Sequence, residues 1–164
     1  MAKQTEEIPI YKLAYLQQVF LLTSAHPGGK DPHVIPQIWA MQASFKPEMI
    51  VISVANARYT HTLIAKTKEF VLNIPSADMA QKVWACAPPG EGVDKFTRAG
   101  LTIMKASKVK APIVKECLGA IECKVVKKID MLDHTLFLAK VVATHKMRSG
   151  SIMINAPGKH EFKI

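Results

Sequence analysis

The 164-residue sequence predicts a single, mainly β domain: a closed or nearly closed barrel of about six strands with short capping helices. Short apolar runs are separated by clusters of turn residues, and the last third alternates apolar and polar residues. The helical segments do not alternate with the strands, which disfavours a doubly wound parallel sheet. Neither G-x-G-x-x-G nor a P-loop pattern is present to support such a sheet.

The first half contains most of the predicted strands. They cover residues 17–25, 33–45, 49–55 and 69–74. The segment 33–45 reads as one strand that tolerates Pro36 at an edge or a bulge. The segment 49–55 is continuously apolar, so we expect it to be buried on both faces.

Three short helices are predicted between and after these strands. They cover residues 61–67, 76–87 and 94–100, the last one ending at Gly100. Thr60 and Ser76 are the expected N-caps of the first two helices, because a hydroxyl can accept an orphan backbone N–H. Met79, Val83 and Trp84 recur at helical spacing, so we expect them in the core.

The last third predicts a β-hairpin. Residues 117–129 alternate with period 2, which places Cys117 and Cys123 on an apolar face and Glu122 on the opposite face. Residues 130–133 form the turn, and residues 134–145 return as the partner strand.

The composition indicates a globular protein, since hydrophobic residues make up 49% and charged residues 21%. No apolar run reaches the ~20 residues that span a bilayer, and the N-terminal segment lacks a signal-peptide apolar region. We therefore expect a cytoplasmic protein without membrane contact. The cysteines, Cys86, Cys117 and Cys123, form no C-x-x-C pair, so we expect reduced core residues.

The segment VANARYTHT, residues 54–62, is the strongest local candidate for binding an anion. Arg58, Tyr59, Thr60 and His61 lie where an apolar strand meets the start of a helix. Free backbone N–H groups, a hydroxyl and a guanidinium together suit a phosphate. On this stretch alone, an ordinary capped helix with an exposed arginine is slightly favoured.

Three further candidates have an equally ordinary explanation. Trp39 suits a flat ring but also a core position. Lys95 and Phe96 follow a Gly-rich loop, as a ligand-binding turn or a capped surface turn would. His134 at the hairpin corner suits proton handling, although histidine is also common in turns.

Metal, nucleophilic and nucleic-acid chemistry have little support. The six histidines lack paired spacing and no G-x-S-x-G motif occurs, so we predict no metal site and no nucleophile. The net charge of +9 comes from dispersed lysines with few aromatic residues between them. This favours a solvated basic surface, or an anionic small ligand, over a nucleic-acid interface.

Taken in order, four segments resemble the flavin reductase-like family of FMN-binding split barrels. This group includes flavoredoxins, archaeal ferric reductase-type proteins and the reductase components of two-component monooxygenases. The resemblance covers roughly residues 18–145 and rests on IWAMQASFKPEMIVISVANARYTHTLIAKTKEFVLNIP, VDKFTRAGLT, KVKAPIVKECLGAIECKVV and DHTLFLAKVVATH.

The resemblance implies a split β-barrel and a homodimer with one FMN per subunit near the interface. The flavin ring would lie along residues 39–44, and the phosphate would meet Arg58, Thr60 and His61. The full implied cofactor set is Trp39, Ala40, Met41, Gln42, Ala43, Ser44, Asn56, Arg58, Tyr59, Thr60, His61, Lys95 and Phe96. FAD fits the same phosphate site.

The implied activity is an oxidoreductase that passes electrons from NAD(P)H through FMN to free flavin, ferric iron or a partner protein. His134 is the one side chain that we nominate as catalytic. Leu132 stands where the family often has a glycine, in a motif associated with the nicotinamide substrate. Two alternatives stay open: an FMN electron carrier that does not itself oxidise NAD(P)H, and a basic nucleic-acid-binding module without flavin.

Overall fold

The computed structural model describes residue 10, residues 16–155 and residues 162–163. Its strands are β1 (Gln17–Gln18), β2 (Phe20–Ser24), β3 (His33–Gln37), β4 (Ala40–Phe45), β5 (Glu48–Ala55), β6 (Glu69–Ile74), β7 (Ile103–Met104), β8 (Ile113–Val114), β9 (Gly119–Asp130), β10 (His134–Lys146), β11 (Ile154–Asn155) and β12 (Phe162–Lys163). Its α-helices are α1 (Tyr59–Thr67), α2 (Ala80–Ala85) and α3 (Lys95–Ala99), and short 3₁₀ turns cover Pro27–Gly29 and Ala77–Met79. None of the helices in these ranges is long and apolar enough to cross a bilayer.

A seven-stranded antiparallel sheet in the order β3-β2-β6-β9-β10-β5-β4 forms the body of the protein. Its two edge strands, β3 and β4, are consecutive in the chain and are joined by residues 38–39. A flat sheet of this size would hold its edges roughly 29 Å apart. A two-residue connection spans at most about 11 Å. The sheet therefore curls into a barrel, which confirms the predicted fold class.

The side chain of Gln37 links the β3 edge of the sheet to β5. The Gln37 side-chain amide donates to the backbone oxygens of Trp39 and Ser53, each at 2.9 Å, and the Ser53 N–H also donates to the Trp39 oxygen. The prediction of a single strand over residues 33–45 was wrong, because the chain crosses from one sheet edge to the other at residues 38–39. Pro36 lies on an edge strand, where a missing N–H costs little.

Strand β5 is buried on one face rather than two. Ile50, Ile52 and Val54 face the barrel interior, whereas Met49 and Val51 are only half-buried. The prediction of two buried faces was wrong because a barrel has one interior.

The helices differ from the prediction in detail. Helix α1 begins at Tyr59 with Arg58 as its N-cap, so Thr60 is not the cap. Ser76 does precede a helical segment, but its hydroxyl makes no capping bond, and a 3₁₀ turn comes before α2. Met79 and Val83 are core residues. Trp84 is 43% exposed, contrary to expectation, because it lies on the outer side of a helix of only six residues.

The predicted third helix and the late hairpin are confirmed, with one exception. Asp94 caps α3 by accepting from the Thr97 N–H, and Gly100 ends it with φ 59°, a conformation that favours glycine. Residues 131–133 connect the long antiparallel pair β9 and β10. Glu122, expected on the polar face, is fully buried, because a polar loop described below covers that face.

Candidate functional site

A cleft of ≈ 300 Å³, here named the cationic cleft, opens where β3 starts, β5 ends and α1 begins. The loop before α3 forms its outer wall. It is lined by His33, Ile35, Asn56, Ala57, Arg58, Tyr59, Thr62, Pro89, Gly90, Glu91 and Lys95. Two of these side chains are cationic, and they come from segments more than thirty residues apart in the chain.

The start of helix α1 lies at this cleft and presents backbone donors. Arg58, the N-cap, has an extended backbone and makes no side-chain capping bond. Its guanidinium has one long contact, 3.5 Å from Nη1 to the Ala87 oxygen, and is otherwise exposed. An uncapped helix start carries a partial positive charge of about half a unit and binds anions.

Lys95 is the second cation of the cleft, and it is nearly inaccessible, with 1% of its surface exposed. Its Nζ donates to the Cys86 backbone oxygen at 3.0 Å. Burial is the main cause that lowers the pKa of Lys95 to about 8, and the positive charges of Arg98 and Arg58 lower it further. No carboxylate among the described residues forms an ion pair with this buried ammonium, so an anion in the cleft would supply its counter-ion.

His33 and Tyr59 form the wall next to these cations. Their rings meet edge to face, with centroids 5.3 Å apart. Burial and then the charge of Lys95 lower the pKa of His33 to about 4, so this imidazole is neutral at pH 7. The Tyr59 hydroxyl lies 2.6 Å from His26 Nε2. This wall therefore adds polar groups without adding charge.

A hydrogen-bond network fixes the segment before α1. The Thr135 hydroxyl lies 3.0 Å from both Asn56 Oδ1 and Asp130 Oδ1, and 2.9 Å from His61 Nε2. The Asn56 N–H donates to the Asp133 oxygen, which ties the start of the helix to the β9–β10 turn. The His61 ring packs against Phe137, 5.5 Å away. His61 thus positions the site from behind and does not line the cleft.

The aromatic part of the candidate site lies at the opposite end of β3. The Trp39 and His134 rings are 4.7 Å apart. His134 Nδ1 donates to the Asp133 carboxylate at 3.0 Å. Residues 33, 35 and 37 share one face of β3, because alternate residues of a strand point the same way. This row of three residues leads from the cationic cleft to Trp39, because the Gln37 side-chain amide donates to the Trp39 backbone oxygen.

Comparison with known proteins decides the family. Residues 13–160 match the family model described as flavin reductase like domain. The chain belongs to this family. An uncharacterized protein of Pyrococcus abyssi is 40% identical over 133 residues, which cover 81% of this chain and 76% of the relative. The resemblance inferred from the sequence is confirmed.

Solved structures agree with this membership. The flavoredoxin of Desulfovibrio vulgaris (Miyazaki F) is 25% identical, with a TM-score of 0.82 over 99% of this chain and 91% of that chain. The NADH:FAD oxidoreductase SgcE6 of Streptomyces globisporus has a TM-score of 0.84 over 94% and 95%, and at 17% identity it supports the fold alone. The chain is thus a flavin reductase-like split barrel, a class of flavin-related oxidoreductases.

The structure brings together only part of the flavin reductase-like site expected from the sequence. Asn56, Arg58, Tyr59 and Lys95 share the cationic cleft. The other nine lie elsewhere. Trp39 is partly exposed against His134, Thr60 is buried with a hydroxyl that has no partner among the described residues, His61 faces Phe137, and Phe96 is in the core. Ala40, Met41, Gln42, Ala43 and Ser44 belong to the edge strand β4.

Sequence reasoning missed the other walls of the cleft, which are formed by His33, Ile35, Ala57, Thr62 and the loop at residues 89–91. Thr62 lies one helical turn after Arg58 and Tyr59, and this spacing places it on the same helix face. The loop PPGEG is rich in glycine and proline, a composition often found in binding loops. Within the described ranges, no three His, Cys, Asp or Glu side chains are grouped to hold a metal ion.

Proposed function

We propose that this chain binds FMN with its phosphate in the cationic cleft and acts as an NAD(P)H-dependent flavin reductase. The observation that carries the proposal is the meeting of Arg58 and the buried Lys95 at the uncapped start of α1. A phosphate would supply a counter-ion for Lys95, which has no ion-pair partner among the described residues, and would accept hydrogen bonds from the N–H groups at the helix start. The residues present therefore fit the group.

The remaining contacts follow from the row along β3. Ile35 offers an apolar surface in the cleft, and Trp39 with His134 would flank the ring system at the far end. Bound FMN supplies hydride acceptance from NAD(P)H and electron transfer to an acceptor, here free flavin, ferric iron or a partner protein. Asp133 orients His134 with its proton on Nδ1, so Nε2 is left to accept or exchange a proton near the ring.

The absorption spectrum of the purified protein and a titration with FMN test this proposal. We expect a yellow protein that releases FMN near one per subunit. Arg58→Ala should weaken FMN binding by about 1.5–3 kcal/mol, since one charged hydrogen bond to the phosphate is lost. Lys66→Ala is the matched control, because it removes one positive charge from the last turn of the same helix. Equal effects of the two variants, or a colourless protein that does not bind FMN, would refute the proposal.

A second candidate function is a non-enzymatic FMN electron carrier, and the hairpin tip favours it. Leu132 is fully exposed, and its backbone oxygen lies 3.4 Å from the Asn56 side-chain amide. Leu132 thus adds a side chain at the turn where the family often has a glycine. Anaerobic mixing of the FMN-loaded protein with NADH and NADPH separates the two functions. Bleaching of the flavin within seconds supports the reductase, and unchanged absorbance supports the carrier.

We also propose a homodimer in which a second copy covers β4. This strand is an edge of the seven-stranded sheet, and its Met41 and Phe45 side chains are 65% and 79% exposed. An apolar groove of ≈ 330 Å³, partly lined by Phe20, Ile50 and Leu72, opens beside it. Exposed apolar edges of this kind favour association between chains.

A further inference from the structure

A second cleft, here named the acidic cleft, adjoins the cationic cleft. It has a volume of ≈ 510 Å³ and shares three wall residues, His33, Tyr59 and Glu91, with its neighbour. It is lined by His26, Asp31, Pro32, His33, Tyr59, Glu91, Gly92, Val93, Asp94 and Ile103. None of these lining residues is a lysine or an arginine. A group that extends outward from a phosphate in the cationic cleft would meet this cleft next.

The charge of the acidic cleft is negative. Asp94 is ionised, because its bonds from Thr97 lower the pKa of its carboxyl. Tyr59 lies on the shared wall, and burial is the main cause that raises its pKa. The charges of Glu91 and Asp31 raise this pKa further. His33 is neutral at pH 7, so it does not offset them. Glu91 lines both clefts, so its carboxylate lies at the boundary between them.

We propose that Asp31 and Glu91 make this site selective for FMN over FAD. The inference rests on the proposed function, because it needs the flavin phosphate in the cationic cleft. FAD carries a second phosphate and an adenosine beyond the first phosphate. The acidic cleft falls within the ≈ 300–1,000 Å³ range of small-molecule sites, so it has room for a nucleotide. The obstacle is therefore the charge of the wall, which repels the second phosphate, rather than its size.

The two carboxylates differ in a way that makes the test specific. Asp31 lines only the acidic cleft, whereas Glu91 lines both clefts. Asp31→Asn should therefore tighten FAD binding and leave FMN binding nearly unchanged, and Glu91→Gln should tighten both, FAD more. Asparagine also suits the backbone of residue 31, whose φ is 42°, because asparagine tolerates the left-handed region.

The experiment is a fluorescence titration of wild type, Asp31→Asn and Glu91→Gln with FMN and with FAD, at low and high salt. Glu48→Gln is the control, because it removes a carboxylate at the start of β5, beside the apolar groove. We expect wild type to bind FMN more tightly. Asp31→Asn should lower the ratio of the FAD and FMN dissociation constants roughly three- to tenfold, the scale of one partly screened charge, and high salt should shrink this effect.

Each outcome decides a separate claim. FMN binding with a dissociation-constant ratio unchanged in Asp31→Asn and Glu91→Gln would overturn the selectivity inference and leave the proposed function standing. Equal affinity of wild type for FAD and FMN would also overturn the selectivity inference and leave the proposed function standing. Failure of wild type to bind either flavin would refute the proposed function and the inference together. A change of ratio that is equal in Glu48→Gln would assign the effect to overall charge rather than to the cleft, and would also overturn the inference.

Discussion

Glu122→Gln should lower the free energy of unfolding by about 3 kcal/mol at pH 7, because five donors converge on this buried carboxylate. Oε1 accepts from the Ser107 N–H at 2.7 Å, the Ser107 hydroxyl at 2.8 Å and His145 Nε2 at 2.7 Å. Oε2 accepts from the N–H groups of Lys108 and Val109 at 2.6 and 3.1 Å. The carboxylate thereby fixes a loop that covers the outer side of β9.

The magnitude follows from the pKa of this carboxyl. Burial raises the pKa of Glu122, but the bonds from Ser107, His145 and Lys108 outweigh burial and lower it to about 2, from an ordinary value of 4.5. The fall of the pKa from 4.5 to about 2 favours the ionised form by about 3 kcal/mol. Glutamine has the shape of the protonated side chain and no charge, so it loses this stabilisation. It also turns an N–H donor toward the other donors.

The same shift predicts the pH dependence. A depressed carboxyl pKa contributes stability that is complete above about pH 4.5 and is lost as the pH falls toward 2. Urea unfolding at pH 7 measures the first effect. Glu116→Gln is the control, since that carboxylate is partly exposed and accepts from the Thr102 N–H rather than from a set of five donors. An unfolding free energy of Glu122→Gln within about 1 kcal/mol of wild type would refute the reasoning. So would a variant whose stability falls between pH 4.5 and 2 as much as that of wild type.

Three other changes test the cleft, the exposed edge and the closure of the barrel. FMN affinity should fall as the pH rises through about 8, because the phosphate binds the protonated Lys95. Lys95→Met should bind FMN more weakly than wild type, and its affinity should not change over this pH range. A pH series of fluorescence titrations measures both effects. Met41→Asp combined with Phe45→Asp should give monomers in sedimentation equilibrium, and an unchanged dimer mass would place the interface elsewhere. Gln37→Leu removes two bonds that close the barrel and should cost about 2 kcal/mol in urea unfolding, whereas an unchanged midpoint would show that the closure does not depend on them.

Local signals in the sequence predicted the parts of the fold that depend on neighbouring residues. Asp94 and Gly100 frame α3 because a side-chain cap and a left-handed stop act within one turn of helix. The period-2 pattern of residues 117–129 predicted a strand because alternation follows from strand geometry itself. Asn56, Arg58, Tyr59 and Lys95 meet in one cleft. The chemistry of a helix start had already suggested two of them, Arg58 and Tyr59, and the family resemblance implied the other two.

The remainder depends on contacts that no local pattern contains. Glu122 is buried beneath groups that lie far from it in the chain: its donors are 13–15 residues before it and 23 residues after it. The alternation within its own strand contains no trace of these contacts and therefore assigned Glu122 to the polar face. The break between β3 and β4 follows from closure of the barrel. His61 faces the sheet because α1 begins at Tyr59 rather than after Thr60, and each residue of a helix turns the side-chain direction by about 100°. An error of one or two residues at a helix start therefore decides which side chains reach a ligand.

The order of the strands has a consequence for how the protein acquires its binding site. The hairpins β2–β3, β4–β5 and β9–β10 join neighbours in the chain, but β2 pairs with β6 about fifty residues later, and β5 pairs with β10 across about eighty. Such non-local pairings slow folding. The cationic cleft takes its walls from residues 33–35, 56–62 and 89–95, so it exists only after these distant pairings have formed. Its ligand should bind late in refolding and slow unfolding, without accelerating the early collapse of the chain.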